Sequence, residues 1–363
     1  MITNHTIGAG RLVACTDPTT WDAFVSAASD GSILQSWSWG ELKERYGWEP
    51  TRYLWIRDGS VRGAVSVLRK PLPGGLAMHY APRGPVLNKH FAEWPQLWAA
   101  LRRRLALQGG TVLKVDPEWP AESGYVLQFT NARPSHSVQH QATALIDLRD
   151  GEAVFERMSA SARRNMRQAE RAGVVIESSD QVDAVDRFYD MLAATADRQE
   201  FTIRPRSYYR DLFTVFSRPS NFPDPEHFSL PGSRGQGRVG ARVYLATHRG
   251  VTVAGSVIVN YGDRLIYLFS GSSDEGRRLK APYLIQQRVI RDGQARGSQS
   301  YDLWGIPVDP QPGDPGWGYA HFKTMLGGVP VRFAGAWDLP VYRPLAAAYH
   351  LAERVLARPA VAV

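Results

Sequence analysis

The run 241–292, ARVYLATHRGVTVAGSVIVNYGDRLIYLFSGSSDEGRRLKAPYLIQQRVIRD, decides the fold. Arg242–Thr247 (RVYLAT), Val251–Tyr261 (VTVAGSVIVNY) and Leu265–Ser270 (LIYLFS) are rich in β-branched and aromatic residues and read as strands. His248-Arg249-Gly250 and Gly262-Asp263-Arg264 supply the turns between them. Ala281–Asp292 (APYLIQQRVIRD) then follows a helical pattern closed by Gly293. Three strands in a meander followed by a helix make a compact sheet-plus-helix unit.

An earlier stretch repeats that order of parts. Tyr53–Arg57, the turn Asp58-Gly59, Gly63–Leu68, the Pro/Gly turn 71–75 and Leu76–Ala81 form a second meander, and a helix is expected over Glu93–Gln108. The chain therefore reads as an internal duplication of α+β units, although any two meanders look alike at this level. The expected division is a first domain over 1–150, completed by a C-terminal helix at about 340–363, and a second over 151–339. It falls after the strand Ala142–Leu148, where a long helix Phe155–Gly173 is expected.

In that helix Phe155, Met158, Ala162, Met166 and Ala169 make an apolar face, with Arg163, Arg167 and Arg171 recurring every fourth residue opposite. Such a face is ordinarily just solvated, and with a net charge of +8 it is also a candidate RNA contact. A helix start at Pro205 would hold Arg204 and Arg206 beside free backbone N–H groups, a setting that favours an anion. The Pro-, Ser-, Gly- and Arg-rich stretch 217–240 reads as an exposed, mobile loop.

The 363 residues suit two cores. A lone Cys15, no export signal and no bilayer-length apolar run place the protein in the cytoplasm. His136 and His140 have no convincing third ligand, so no metal is expected. Neither a phosphate-binding GxxxxGK[ST] loop nor a strand-bound GxGxxG is present. In the early Trp-rich helix, Trp37, Trp39, Leu42 and Tyr46 could pack while Lys43 projects from the polar side. Asp116, ending the strand Thr111–Pro117, is either a base or a turn former.

The twin meander suggests a GNAT-like fold, but DEGRRLKA at 274–281 lacks the usual Gly-punctuated pyrophosphate turn, which disfavours acyl-CoA. The segments LQSWSWGELKERYGWEP (34–50), YAPRGPVLN (80–88), SARRNMRQAERAGV (161–174), TIRPRSYY (202–209), YLFSGSSD (267–274), APYLIQQ (281–287), YDLWGI (301–306) and HFKTMLGG (321–328) follow a family order. By these the chain resembles the FemABX peptidyltransferases, which build the interpeptide bridge of peptidoglycan. No counterpart of the long coiled-coil arm follows Phe216, so it is similar to the shorter, FemX-like members.

The resemblance implies two tandem GNAT-like domains in an α+β sandwich. It implies aminoacyl-tRNA as donor with no further cofactor, and the stem-peptide amine of UDP-MurNAc-pentapeptide or lipid II as acceptor. Contact with the inner face of the membrane is also implied. Glycine, with alanine or serine as alternatives, is the expected amino acid. Lys323, with Phe322, falls where the family stabilises the oxyanion; Asp116 stands where the family has an acid that can serve as base. Lys43 and Arg204, with Tyr208, map to a clamp on the precursor's diphosphate. Tyr80 and Phe269 map near the acceptor, Phe269 replacing a Tyr of some relatives, and Thr111 lies near another acceptor contact. Two other readings remain open at this point: a GNAT-type N-acyltransferase with a CoA- or carrier-bound donor, and a non-catalytic tRNA-binding protein using Arg163, Arg167 and Arg171.

Overall fold

The computed structural model describes residues 10–88, 90–217 and 239–356. The expected loop at 217–240 therefore lies almost wholly outside the described residues. The chain divides into a first unit, Met1–Gln139 with Phe333–Val363, and a second, His140–Arg332.

The first unit begins with β1 (Arg11–Ala14), α1 (Pro18–Ala27), α2 (Trp37–Arg45), β2 (Glu49–Arg57), β3 (Ser60–Pro71) and β4 (Ala77–Ala81). It continues with α3 (Trp94–Leu107), β5 (Gly110–Val115) and β6 (Arg133–Pro134). The second unit opens with β7 (Ala142–Asp147), α4 (Ala153–Glu156), α5 (Ala160–Arg171), β8 (Val175–Ser179), α6 (Ala184–Gln199) and α7 (Arg206–Phe216). Next come β9 (Val239–His248), β10 (Val251–Tyr261), β11 (Arg264–Ser272), α8 (Asp274–Arg278) and α9 (Ala281–Ala295). The unit closes with β12 (Ser300–Ile306), α10 (Trp317–Met325) and β13 (Val329–Arg332). The chain then returns to the first unit for β14 (Trp337–Pro340) and α11 (Arg343–Leu356).

The described strands form two sheets of one pattern, β1-β2-β3-β4-β5-β14-β6 and β8-β9-β10-β11-β12-β7-β13. In each, an antiparallel meander meets a parallel strand after a helix (β4 with β5, β11 with β12), and an antiparallel strand follows. The expected duplication is present, as tandem GNAT-like α+β units. The turns do what their residues allow: Asp58 and Gly59 sit at φ 50° and 74°, Arg249 and Gly250 at 51° and 79°. Paired left-handed residues suit the right-handed twist of a two-residue hairpin.

The division differs from the expected one at 150. The strand β7 pairs with β12 and β13 in the second sheet, and β14 pairs with β5 and β6 in the first. Each sheet's sixth place is filled by the strand that follows the other sheet's seventh, so chain order and sheet membership part company there.

The cores follow from the patterning. On α3, Trp94, Leu97, Trp98, Leu101 and Leu105 are buried against Tyr53, Val65, Val67 and Leu113. Each such side chain contributes roughly 1.5–3 kcal/mol on leaving water. In the second unit, Ala162, Met166 and Ala169 of α5 share a core with Leu284, Ile285, Val289 and Ile290 of α9.

Two helix expectations change. The long helix over 155–173 is broken, because the Ser159 hydroxyl caps α5 by accepting from Ala162 N–H at 3.0 Å. Gly293 does not stop α9; a Cβ there would lie 2.4 Å from Leu265 Cδ1, so it permits close packing on β11. Among the described residues no helix is long and apolar enough to cross a membrane.

Candidate active site

The chemistry of the second unit gathers where β12 leaves β11. These parallel strands pair only at Arg264–Ile266 with Ser300–Asp302. At the last of these pairs, Asp302 is 2% exposed and accepts from the Thr143 hydroxyl and from Trp304 N–H at 2.8 Å. That local bond supports Trp304 at φ 64°, a conformation uncommon for a bulky residue. At Gly305 a Cβ would meet His140 at 2.1 Å, so only glycine fits.

The kink turns two carbonyls onto Lys323 of α10. Its Nζ donates to Trp304 O at 3.1 Å and Gly305 O at 2.8 Å. The ammonium also lies 5.3 Å from the Tyr319 ring centre and 6.0 Å from that of Tyr267. Lys323 is 8% exposed, and burial pushes its pKa down to about 7, with Asp302 pulling it back up. An ammonium has three N–H groups; two are committed to carbonyls and one is left for an incoming oxygen. Phe322, half-buried, presents its ring to Tyr283 edge-on at 4.8 Å.

A second group forms around α7. Arg204 is exposed, with its guanidinium 5.7 Å from the Tyr208 ring centre. Tyr208 packs on Tyr209 at 5.7 Å, and Tyr209 on Phe269 at 5.0 Å, so three expected residues meet through one that was not singled out. The signal for Tyr209 was present, as the second Tyr of TIRPRSYY. The expectation for Arg206 changes: it is tied to Asp190 at 2.7 Å and Asp186 at 3.6 Å, leaving Arg204 as the exposed cation of the pair.

Arg163 also departs from expectation. Its Nη1 donates to the carbonyls of Glu156 at 2.9 Å and Met158 at 2.5 Å, closing the end of α4. Arg167 and Arg171 are exposed on α5. Of the three arginines expected on the basic face, two remain exposed and the third has become part of a helix junction.

In the first unit, Lys43 does not project into solvent: it is 8% exposed, with Nζ 4.5 Å from the Trp39 ring centre. The neighbouring Gly40 leaves room for the Arg52 guanidinium, whose Nη2 would lie 2.2 Å from a Cβ there. Asp116 is 2% exposed, and its two oxygens accept from the Tyr80 hydroxyl at 2.9 Å and Arg83 N–H at 2.6 Å. Burial raises the Asp116 pKa and raises that of Tyr80 well above the usual phenol range. Gln139 Nε2 donates to Tyr80 Oη at 3.4 Å, so that hydroxyl is engaged on both sides. Thr111 is buried and donates to Ala77 O at 3.3 Å.

Two curated relatives and one solved structure are similar to the chain as a whole. The chain is 23% identical over 309 residues to the UDP-N-acetylmuramoylpentapeptide-lysine N(6)-alanyltransferase of Weissella viridescens, covering 79% of this chain and 83% of that one. It is 23% identical over 397 residues to the lipid II:glycine glycyltransferase of Staphylococcus haemolyticus (strain JCSC1435), covering 93% and 94%. A crystal structure of FemX superposes with a TM-score of 0.80 at 18% identity, over 94% of this chain and 100% of that one. That likeness shows the shared fold. The FemAB family model matches residues 16–123, 121–223 and 242–354, and the chain accordingly belongs to the FemAB family.

Proposed function

We propose that this chain is an aminoacyltransferase that moves an amino acid, glycine first among the candidates and alanine or serine next, from aminoacyl-tRNA to a peptidoglycan precursor. The acceptor is the side-chain amine of the stem peptide in lipid II or UDP-MurNAc-pentapeptide, and no other cofactor takes part. The amine nitrogen attacks the ester carbonyl carbon, a C–N bond forms, and the tetrahedral intermediate collapses with loss of the tRNA ribose hydroxyl. The amine's proton leaves to the substrates' own oxygens.

The observation that carries this reading is Lys323. Its buried ammonium is held by the Trp304 and Gly305 carbonyls with one N–H remaining, which suits an oxygen that gains charge during the reaction. Phe322 steadies α10 through Tyr283. Arg204 with Tyr208 and Phe269 binds the acceptor's charged and ring portions, and Lys43 is a separate candidate for the diphosphate. Tyr80 holds Asp116, and Asp116 holds the 82–85 loop through Arg83 N–H, a positioning role in place of a base. Arg167 and Arg171 meet the tRNA backbone. The work takes place in the cytoplasm, at the inner face of the membrane when the acceptor is lipid II.

The test is transfer of labelled amino acid from charged tRNA to each precursor, read by mass spectrometry. The wild type forms product, and Lys323→Met loses about 10²–10³-fold in kcat. Wild-type protein inert with every charged tRNA and both precursors, or Lys323→Met at wild-type rate, overturns the reading.

A further inference from the structure

Outside all the residues used above, the first unit contains a cavity of about 360 Å³ beside β6, β14 and α11. Its rim holds Arg133, on β6, and Arg343, the first residue of α11, both exposed. Asp338 on β14 lines it as well and is 1% exposed. Behind that carboxylate stands Lys114 of β5, its Nζ 3.0 Å from Asp338 Oδ1 and its side chain 8% exposed. His350, one face of α11 down, places Nε2 3.1 Å from Asp338 Oδ2. A carboxylate can only accept, so this contact needs a proton on Nε2.

We propose that this cavity is a binding site for the phosphoryl group of a small phosphorylated molecule. Two permanent cations, Arg133 and Arg343, line the cavity, while Lys114 pairs with its one carboxylate from behind. Two positive charges are left uncompensated before His350 is considered, which matches a phosphoryl dianion better than a lone carboxylate. The two guanidiniums present forked donors at the rim, the geometry that grips phosphate oxygens. Asp338 supplies what such a site needs underneath: it fixes Lys114 and His350, and keeps the buried ammonium from standing uncompensated. The start of α11, with Ala346 and Ala347 on the wall, adds the positive end of a helix of 14 residues. The volume lies within the range of small-molecule pockets and exceeds what a bare phosphate fills. Among the described residues Asp338 is the one acidic side chain that lines it.

The site is tested on the full chain by ³¹P NMR titration with orthophosphate and with glycerol 3-phosphate, against potassium chloride at matched ionic strength. Wild type is expected to show saturable binding at millimolar concentrations or below. Arg133→Gln and Arg343→Gln are each expected to raise Kd about tenfold, and the double variant about a hundredfold. Arg103→Gln, an exposed arginine of α3 outside the cavity, is expected to leave Kd unchanged. Both rim arginines are exposed, so circular dichroism should show the variants folded. Tighter binding of glycerol 3-phosphate assigns the remaining volume to the organic part, and orthophosphate alone assigns the site to the free anion. No saturable signal with either probe, or a double variant binding like wild type, overturns the proposal.

Discussion

The two parallel strand pairs, one in each sheet, begin alike and end differently. In the first unit β4 and β5 stay paired from Ala77 with Gly110 to Ala81 with Val115, and their ends are closed by the buried bonds of Tyr80 and Arg83 to Asp116. In the second, β11 and β12 part after Ile266 and Asp302, and the carbonyls of Trp304 and Gly305 turn to a lysine from α10. One duplicated scaffold thus yields a sealed junction and an open one. On the proposed function, the difference teaches where reactivity comes from: not from the sheet, which is shared, but from a few residues that keep two strands apart and set a cation in the gap.

The largest effect should come from the open junction. Lys323→Met is expected to remove about 10²–10³-fold of kcat with little change in melting temperature, since relief of a buried charge offsets the donors lost by the Trp304 and Gly305 carbonyls. Activity loss with a lowered melting temperature would make Lys323 a structural residue and erase the contrast. The same group sets a pH dependence. With its pKa held at about 7, the ratio of wild-type to Lys323→Met kcat/KM should fall as pH rises through 7.

The sealed junction should respond in stability instead. Asp116→Asn and Tyr80→Phe each leave a buried partner short of a bond and should cost about 1–3 kcal/mol, with less than about a tenfold change in kcat. A 10³-fold loss from Asp116→Asn with unchanged melting would make it the base and the two junctions alike in chemistry.

A separate effect concerns linkage. Burial holds His79 of β4 at a pKa of about 4, below its ordinary 6.5, so the unfolded chain binds the extra proton between those values. The first unit should therefore gain stability as pH rises from 4 to 6.5. Lys323, at about 7 against an ordinary 10.5, should do the same for the second unit between 7 and 10.5. Amide exchange of β5 and β12 across pH reads the two windows separately, and a single shared window would break the distinction.

Much of this was legible in the chain. The meander 242–270, its earlier copy and the Asp58-Gly59 and Arg249-Gly250 turns depend on a period of two or on residues that tolerate left-handed backbone, whereas Lys323 was reached through the likeness of HFKTMLGG to a family motif. Those are properties of neighbours in sequence, and the order of the motifs was enough to suggest the family. Asp302 and Trp304 were also in plain view within YDLWGI, but nothing local says that one supports the other's conformation.

The sequence by itself determined the strands, the turns, the duplication and which lysine to watch. Only the tertiary structure decided that β7 and β14 change sheets, that Lys43 lies buried over Trp39, that Arg163 closes α4, and that Asp116 is already fully engaged. The physical reason is one of range. Backbone preference and hydrophobic period act over a few residues, whereas a side chain's charge state and its partners depend on groups tens or hundreds of positions away that only the packed chain brings near.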